Sequence, residues 1–106
     1  MEWLEKNYSN PDLIIDDMVT PSGMSRSSFY NRLKLLAQMS PVELLNDFRI
    51  KKAEMYLKNS NLSISEIAYR MGFNDPAYFA RIFKARHGIS PTIFRKNTSE
   101  HYQKVD

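Results

Sequence analysis

Four of the five prolines in this chain follow directly on Asn, Asp or Ser, the side chains that cap helices best: Asn10-Pro11, Ser40-Pro41, Asp75-Pro76 and Ser90-Pro91. A capping side chain accepts from N–H groups that the first helical turn leaves open. Proline suits the next position because no donor is needed there. Each dipeptide therefore marks a helix start. Ser40-Pro41-Val42-Glu43 is the strongest, since Glu43 can reach back to the cap amide. Ser63-Ile64-Ser65-Glu66 is a second capping box, and Asn10-Pro11-Asp12 precedes the apolar Leu13-Ile14-Ile15. Gly72 and Gly88 sit where a helix must stop and turn.

Between these marks the apolar residues recur with a helical period. Ile64, Ile67, Ala68 and Met71 share one face, as do Phe79, Ile82 and Phe83, and Phe29, Leu33 and Leu36. Ile50, Ala53 and Leu57 mark one face of a longer segment. Long β-branched runs with period-two alternation are missing, which argues against an all-β fold. The punctuation and periodicity predict seven helices, near 2–8, 13–20, 26–37, 41–58, 64–71, 76–86 and a short one at 91–96. The polar stretch from Thr98 to Asp106 reads as a frayed tail.

The two halves echo each other. Phe29 and Phe79 lie 50 residues apart, and so do Lys34 and Lys84, Ser40 and Ser90, Pro41 and Pro91, and Ile14 and Ile64. Each half runs as short helix, tight turn, longer basic helix and Ser-Pro. The expected fold is all-α: two helix-turn-helix subdomains, residues 1–40 and 59–97, joined by a linker helix at 41–58, with a polar tail at 98–106.

Charge is placed unevenly. Residues 1–20 carry one base and five acids, whereas residues 21–106 carry 14 bases and seven acids. The basic part suits a polyanion. The chain has no cysteine, so disulfides and thiolate metal sites are excluded. The start, Met1-Glu2-Trp3-Leu4-Glu5-Lys6, is acidic and amphipathic, unlike a secretory leader. No apolar run approaches the ~20 residues that span a bilayer. These features predict a cytoplasmic protein and no membrane contact by this segment.

In the second half a short helix ends at Met71-Gly72, Phe73 is the expected buried anchor of a tight turn, and Asp75 caps the next helix. Helix, Gly-containing turn, helix is the layout in which the second helix lies in a major groove. The groove requires exposed polar or cationic groups on one side of that helix and apolar groups on the other. Phe79, Ile82 and Phe83 supply the inner side. Arg81, Lys84 and Arg86 are cationic, and residues 76–86 contain no acid. Ala77, Tyr78 and Arg81 fall within one turn on the outer side, and an arginine fork matches the two acceptors of guanine. In the first half Pro21-Ser22-Gly23-Met24 is the expected turn and Ser25 the cap. Arg26, Ser27, Tyr30, Asn31 and Lys34 are the outward candidates, with Phe29 and Leu33 inward. Arg26, Arg32 and Lys34 make residues 25–34 cationic without an acid. Asn31 suits adenine.

Each feature has a plainer counterpart. A basic amphipathic helix is commonly a solvated face, and Tyr30 and Tyr78 fit half-buried packing as well as contact. Arg49 reads as a salt-bridge partner, and Lys51, Lys52 and Lys58 as solvated. Enzyme chemistry has no foothold: no HExxH, phosphate loop or nucleophile elbow is present, no metal site is expected, and no cofactor is implied. His87 ends a helix, where a cation is favoured, and His101 lies in the tail.

The run Ile64-Ser65-Glu66-Ile67-Ala68-Tyr69-Arg70-Met71-Gly72-Phe73-Asn74-Asp75-Pro76-Ala77-Tyr78-Phe79-Ala80-Arg81-Ile82-Phe83-Lys84, continued through Gly88-Ile89-Ser90-Pro91 to Phe94-Arg95, resembles the signature of the arabinose-regulator (AraC/XylS) family. Gly23-Met24-Ser25-Arg26-Ser27-Ser28-Phe29-Tyr30-Asn31-Arg32-Leu33-Lys34 is similar to the same family, in versions found at the C-terminus of hybrid two-component regulators. The resemblance covers about residues 2–96. It implies a sequence-specific reader of double-stranded DNA whose two reading helices enter successive major grooves. It implies base readers at Ser27, Tyr30, Asn31, Pro76, Ala77, Tyr78 and Arg81. Backbone contacts are expected at Arg26, Arg32, Lys34, Lys84 and Arg86.

The resemblance further implies a transcription regulator, usually an activator, that contacts RNA polymerase at the nucleoid. Such proteins carry a sensor, receiver or dimerisation domain that 106 residues cannot hold. The chain is expected to be a fragment of a longer protein, with a rare stand-alone member as the alternative, and a hybrid sensor would be membrane-anchored through its missing part. Two departures stand out. Pro21 and Ser22 are expected to shorten the first scaffold helix by a turn. Pro76 and Ala77 replace polar readers and leave second-half readout to Arg81 and Tyr78. The rival readings are a helical protein-interaction module with an acidic partner, and an RNA binder.

Overall fold

The computed structural model of the chain describes residues 2–13 and 15–103. Among these residues there are seven helices and no strand: α1 (Glu2–Asn7), α2 (Ile15–Ser22), α3 (Arg26–Ala37), α4 (Pro41–Asn59), α5 (Ile64–Arg70), α6 (Pro76–His87) and α7 (Pro91–Gln103). Ile14, matched to Ile64 in the internal repeat, lies outside the described residues, as do 104–106.

The capping side chains act as their chemistry dictates. Ser25, Ser40, Ser63 and Asp75 accept from the backbone N–H of Ser28, Glu43, Glu66 and Ala77, and Ser90 accepts from Ile93. At Ser40 the box closes in both directions, with Glu43 accepting from the cap amide. Asn10 behaves differently. Its side chain accepts from the N–H of Asp12, so residues 11–12 form a turn and α2 starts later, at Ile15.

Two cores lie along α4. Leu45, near its start, packs with Leu4 of α1 and Met18 of α2. Ile50, Ala53 and Leu57, further along, pack with Ile67 and Ala68 of α5, Met71 and Phe73 of the turn, and Phe79 and Phe83 of α6. One 19-residue helix thus carries both units, and the molecule measures 53 × 25 × 23 Å.

Three expectations are corrected. Helix α2 is not cut short before Pro21: Pro21 and Ser22 are its last residues, and the turn is reduced to Gly23-Met24. A proline this close to a C-terminus removes one donor only. The hydroxyls of Thr20 and Ser22 donate to the carbonyls of Asp16 and Val19. Helix α7 does not stop near 96 but runs to Gln103, through the start of the expected frayed tail. No glycine or proline interrupts residues 92–103, and Phe94 and Arg95 anchor the first turns, so the helix propagates.

Leu36 does not pack inward with Phe29 and Leu33, for it is 79% exposed. Helix α3 has no buried residue. It spans 12 residues, about 18 Å, and rests on an α2 of eight residues, about 12 Å, so its last turn overhangs.

Candidate nucleic-acid interface

Helix α3 places its candidates from a well-defined start. Ser25 caps it and also bonds the Ser28 hydroxyl. Ser27, Asn31, Arg32 and Lys34 are exposed, and Tyr30 is half-buried. Arg26 is exposed but occupied. It pairs with Asp16 at 3.1 Å, donates to the Tyr30 hydroxyl at 3.4 Å, and stacks over the Tyr30 ring. The Tyr30 hydrogen bond raises its pKa, with the charges of Tyr30 and Asp16 adding to the effect. Asn31 and Lys34 share a surface hollow with Leu35 and Gln38. The outward polar face is thus interrupted by Leu35, which is 83% exposed.

Helix α6 is better seated. Asp75 caps it, Pro76 opens it, and Phe79 and Phe83 are fully buried. Ile82, expected inward, is only half-buried. Ala77, Arg81 and Lys84 are exposed, and Pro76 and Tyr78 are half-buried. Tyr78 does two things. Its ring lies 6.0 Å from that of Phe73, and its hydroxyl accepts from Asn46 of α4 at 2.9 Å. Arg81 then lies over the outer side of Tyr78, with its guanidinium 5.4 Å from the ring centre. The tyrosine is therefore a shelf that holds an exposed arginine.

Arg86, like Arg26, is already paired, in its case with Asp47 of α4. A phosphate would compete with that carboxylate. His87 stacks on Phe83 at 4.2 Å and faces Glu54 at 3.3 Å, which fastens the end of α6 to α4.

The connector holds residues whose roles the sequence pattern missed. Arg49 is not a salt-bridge partner. Among the described residues no carboxylate pairs with it. Its Nε donates to the Tyr8 carbonyl at 2.7 Å and its Nη2 to the Asn10 carbonyl at 2.9 Å. It is buried, and that burial lowers its pKa, opposed in part by Tyr78. The available signal was spacing. Leu45, Arg49, Ala53 and Leu57 recur every fourth residue, which puts a cation on an apolar stripe. Lys52 is not simply solvated either. It pairs with Glu5 and lies near the rings of Tyr8 and Phe48. The Glu5 hydrogen bond raises its pKa against the opposing pull of desolvation. Asn46 and Asn74 gave no sequence signal at all. Lys51 is exposed beside Asp47, and Lys58 lies over Phe94.

Among the described residues, no helix is long and apolar enough to cross a membrane, and no group of acidic or histidine side chains is placed to hold a metal. A family model described as a helix-turn-helix domain matches residues 19–97, three quarters of the chain. The chain belongs to the AraC/XylS family of DNA-binding domains.

This AraC/XylS domain is 35% identical over 97 residues to the raffinose operon transcriptional regulatory protein RafR of Pediococcus pentosaceus, covering 92% of this chain and 35% of that protein. Several curated relatives are matched over only 7% to 35% of their own length. Among solved structures it is similar to the C-terminal domain of AraT, a response regulator from Geobacillus stearothermophilus. The TM-score is 0.82 at 29% identity, over 91% of this chain and 79% of that one. It is also similar to the DNA-binding domain of AdpA, a global transcriptional factor solved in complex with a target DNA. There the TM-score is 0.87 at 25% identity, over 94% of this chain and 89% of that one.

Proposed function

We propose that this chain is the DNA-reading output domain of a transcription regulator, with α3 and α6 entering two successive major grooves on one side of a duplex. The observation that carries the reading is the pair of exposed basic faces on helices held by one continuous α4: Ser27, Asn31, Arg32 and Lys34 on α3, and Ala77, Arg81 and Lys84 on α6. Arg81 and Asn31 are the principal base readers, suited to guanine and adenine. Ser27, Tyr30, Pro76, Ala77 and Tyr78 shape the contacts around them. Lys34, Lys84, Arg32 and Arg26 neutralise phosphates, and Arg86 joins them only by leaving Asp47. The likeness to AdpA, solved on DNA, supports this reading.

The subdomain limits proposed are 1–40 and 59–97 about the α4 connector. The whole protein is a bacterial regulator acting at the nucleoid, carrying a sensor, receiver or dimerisation part and touching RNA polymerase. The test is selection of bound duplexes from a random pool, followed by gel shifts at several salt concentrations. The expected result is enrichment of two short motifs about one helical turn apart, roughly 34 Å. No retardation of any duplex at low salt would instead favour an acidic protein partner. Preference for duplex RNA would overturn the major-groove reading, because the A-form major groove does not admit these helices.

A further inference from the structure

The α1–α2 loop and the turn of the second helix-turn-helix meet around Arg49, Gly72 and Phe73, which are buried. Three acceptors in that loop are taken from elsewhere in the fold. The Tyr8 and Asn10 carbonyls accept from Arg49 of α4, and the Pro11 carbonyl accepts from Asn74 Nδ2 at 3.2 Å. Asn74 lies between α5 and α6, next to the cap of the second reading helix. Phe73, its neighbour, lies beneath the Arg49 guanidinium, 5.5 Å from ring centre to Cζ. Gly72 completes the joint. A Cβ there would stand 2.5 Å from the Tyr8 carbonyl oxygen and 3.0 Å from Arg49 Cζ.

Helix α4 packs against α2 in the first unit and against α5, α6 and α7 in the second, and a direct contact between the units adds a further constraint on the angle between them. Residues 8–11 of the first unit reach the second turn directly, and Arg49 ties them there. Arginine suits the task because its planar fork places donors on two carbonyls at once, which an ammonium cannot do. A buried cation paired with carbonyls is a poor device for stability alone, since removing it from water is costly.

From this geometry we infer that Arg49 is a positioning residue. It clamps the Gly72–Asn74 turn to the Tyr8–Pro11 loop and so fixes the spacing and twist at which α3 and α6 are presented to DNA. The inference rests on the duplex-reading function above. It adds that the domain reads its two half-sites at one rigid spacing, rather than as two modules on a hinge.

The test separates the two ideas by reading geometry with and without DNA. The chain has no cysteine, so Leu35→Cys and Ala85→Cys, both at exposed positions, take spin labels cleanly. Electron–electron resonance on the free protein is expected to give one narrow distance in the parent and a broadened one in Arg49→Lys. Binding is then measured on duplexes with zero, one, two and five base pairs inserted between the selected half-sites. Two inserted pairs rotate one half-site by about 70° and are expected to cost the parent about tenfold or more, but Arg49→Lys less than about threefold.

Asn74 is exposed, and Asn74→Ala keeps the question open to test if Arg49→Lys does not fold; it is expected to move both readouts in the same direction. An unchanged distance distribution, or an equal loss of affinity at every spacing, would overturn the clamp and leave Arg49 a packing residue. Broadened distances in a parent chain that binds no duplex would overturn the duplex reading itself, and with it the positioning role.

Discussion

Gly72→Ala is expected to destabilise the domain by about 3 kcal/mol, three times the effect of Gly88→Ala, and the contrast isolates the joint between the two units. Both glycines have a positive φ, 99° at Gly72 and 80° at Gly88. A side chain in that region costs about 1 kcal/mol through crowding of its own backbone. At Gly88 the account ends there, because a Cβ would meet nothing within 4 Å. At Gly72 the added methyl would stand 2.5 Å from the Tyr8 carbonyl oxygen. That oxygen cannot swing aside freely, since Arg49 holds it at 2.7 Å. Either the loop moves and loses its Arg49 bonds or the turn moves and disturbs Phe73. Displacements of this kind in a packed interior cost about 1–3 kcal/mol. Added to the strain, the total is about 2–4 kcal/mol. Urea unfolding followed by circular dichroism measures both variants. At about 4 °C or more per kcal/mol for a domain of this size, Gly72→Ala should melt roughly 12 °C below the parent and Gly88→Ala roughly 4 °C below. Equal losses for the two variants would refute the argument that close approach, beyond backbone strain, defines position 72.

Arg81→Ala is expected to weaken duplex binding by about 1–3 kcal/mol and to relax preference at one base position, read by competition with single-base operator variants. A uniform loss over all variants would assign Arg81 to phosphate. Lys84→Ala should reduce the slope of log affinity against log salt by about one without altering sequence preference, and a changed preference would contradict the backbone role. Ser40→Ala removes an acceptor that the Glu43 N–H uses at 3.1 Å and opens the capping box at the head of α4. A loss of about 1 kcal/mol in chemical unfolding is expected, and no loss would mean that water replaces the hydroxyl at no cost.

The helix inventory was legible because its signals are local. Caps and N1 prolines act within one turn, so Ser40, Asp75 and Ser90 mark starts whatever the rest of the chain does. The apolar stripe of α6 was legible for the same reason, and Phe79 and Phe83 are buried as their spacing requires. The misreadings have a common origin in what lies beyond one turn. Leu36 repeats the spacing of Phe29 and Leu33, yet α2 is too short to cover it. Asn10 has a capping side chain, yet it is used by Asp12. Pro21 breaks helices in their middle, yet here it falls at an end where a lost donor costs little.

The sequence by itself determined an all-helical fold, two repeated basic helices and the uneven placement of charge, because period, capping and charge are properties of neighbours along the chain. Only the tertiary structure decided that Tyr78 supports Arg81 with help from Asn46, that Arg86 is held by Asp47, and that Arg49 bonds carbonyls 39 and 41 residues away. Those pairings depend on where α4 carries each side chain in three dimensions. A buried arginine has the same spacing signature whether it meets a carboxylate or two carbonyls, and packing alone selects between them.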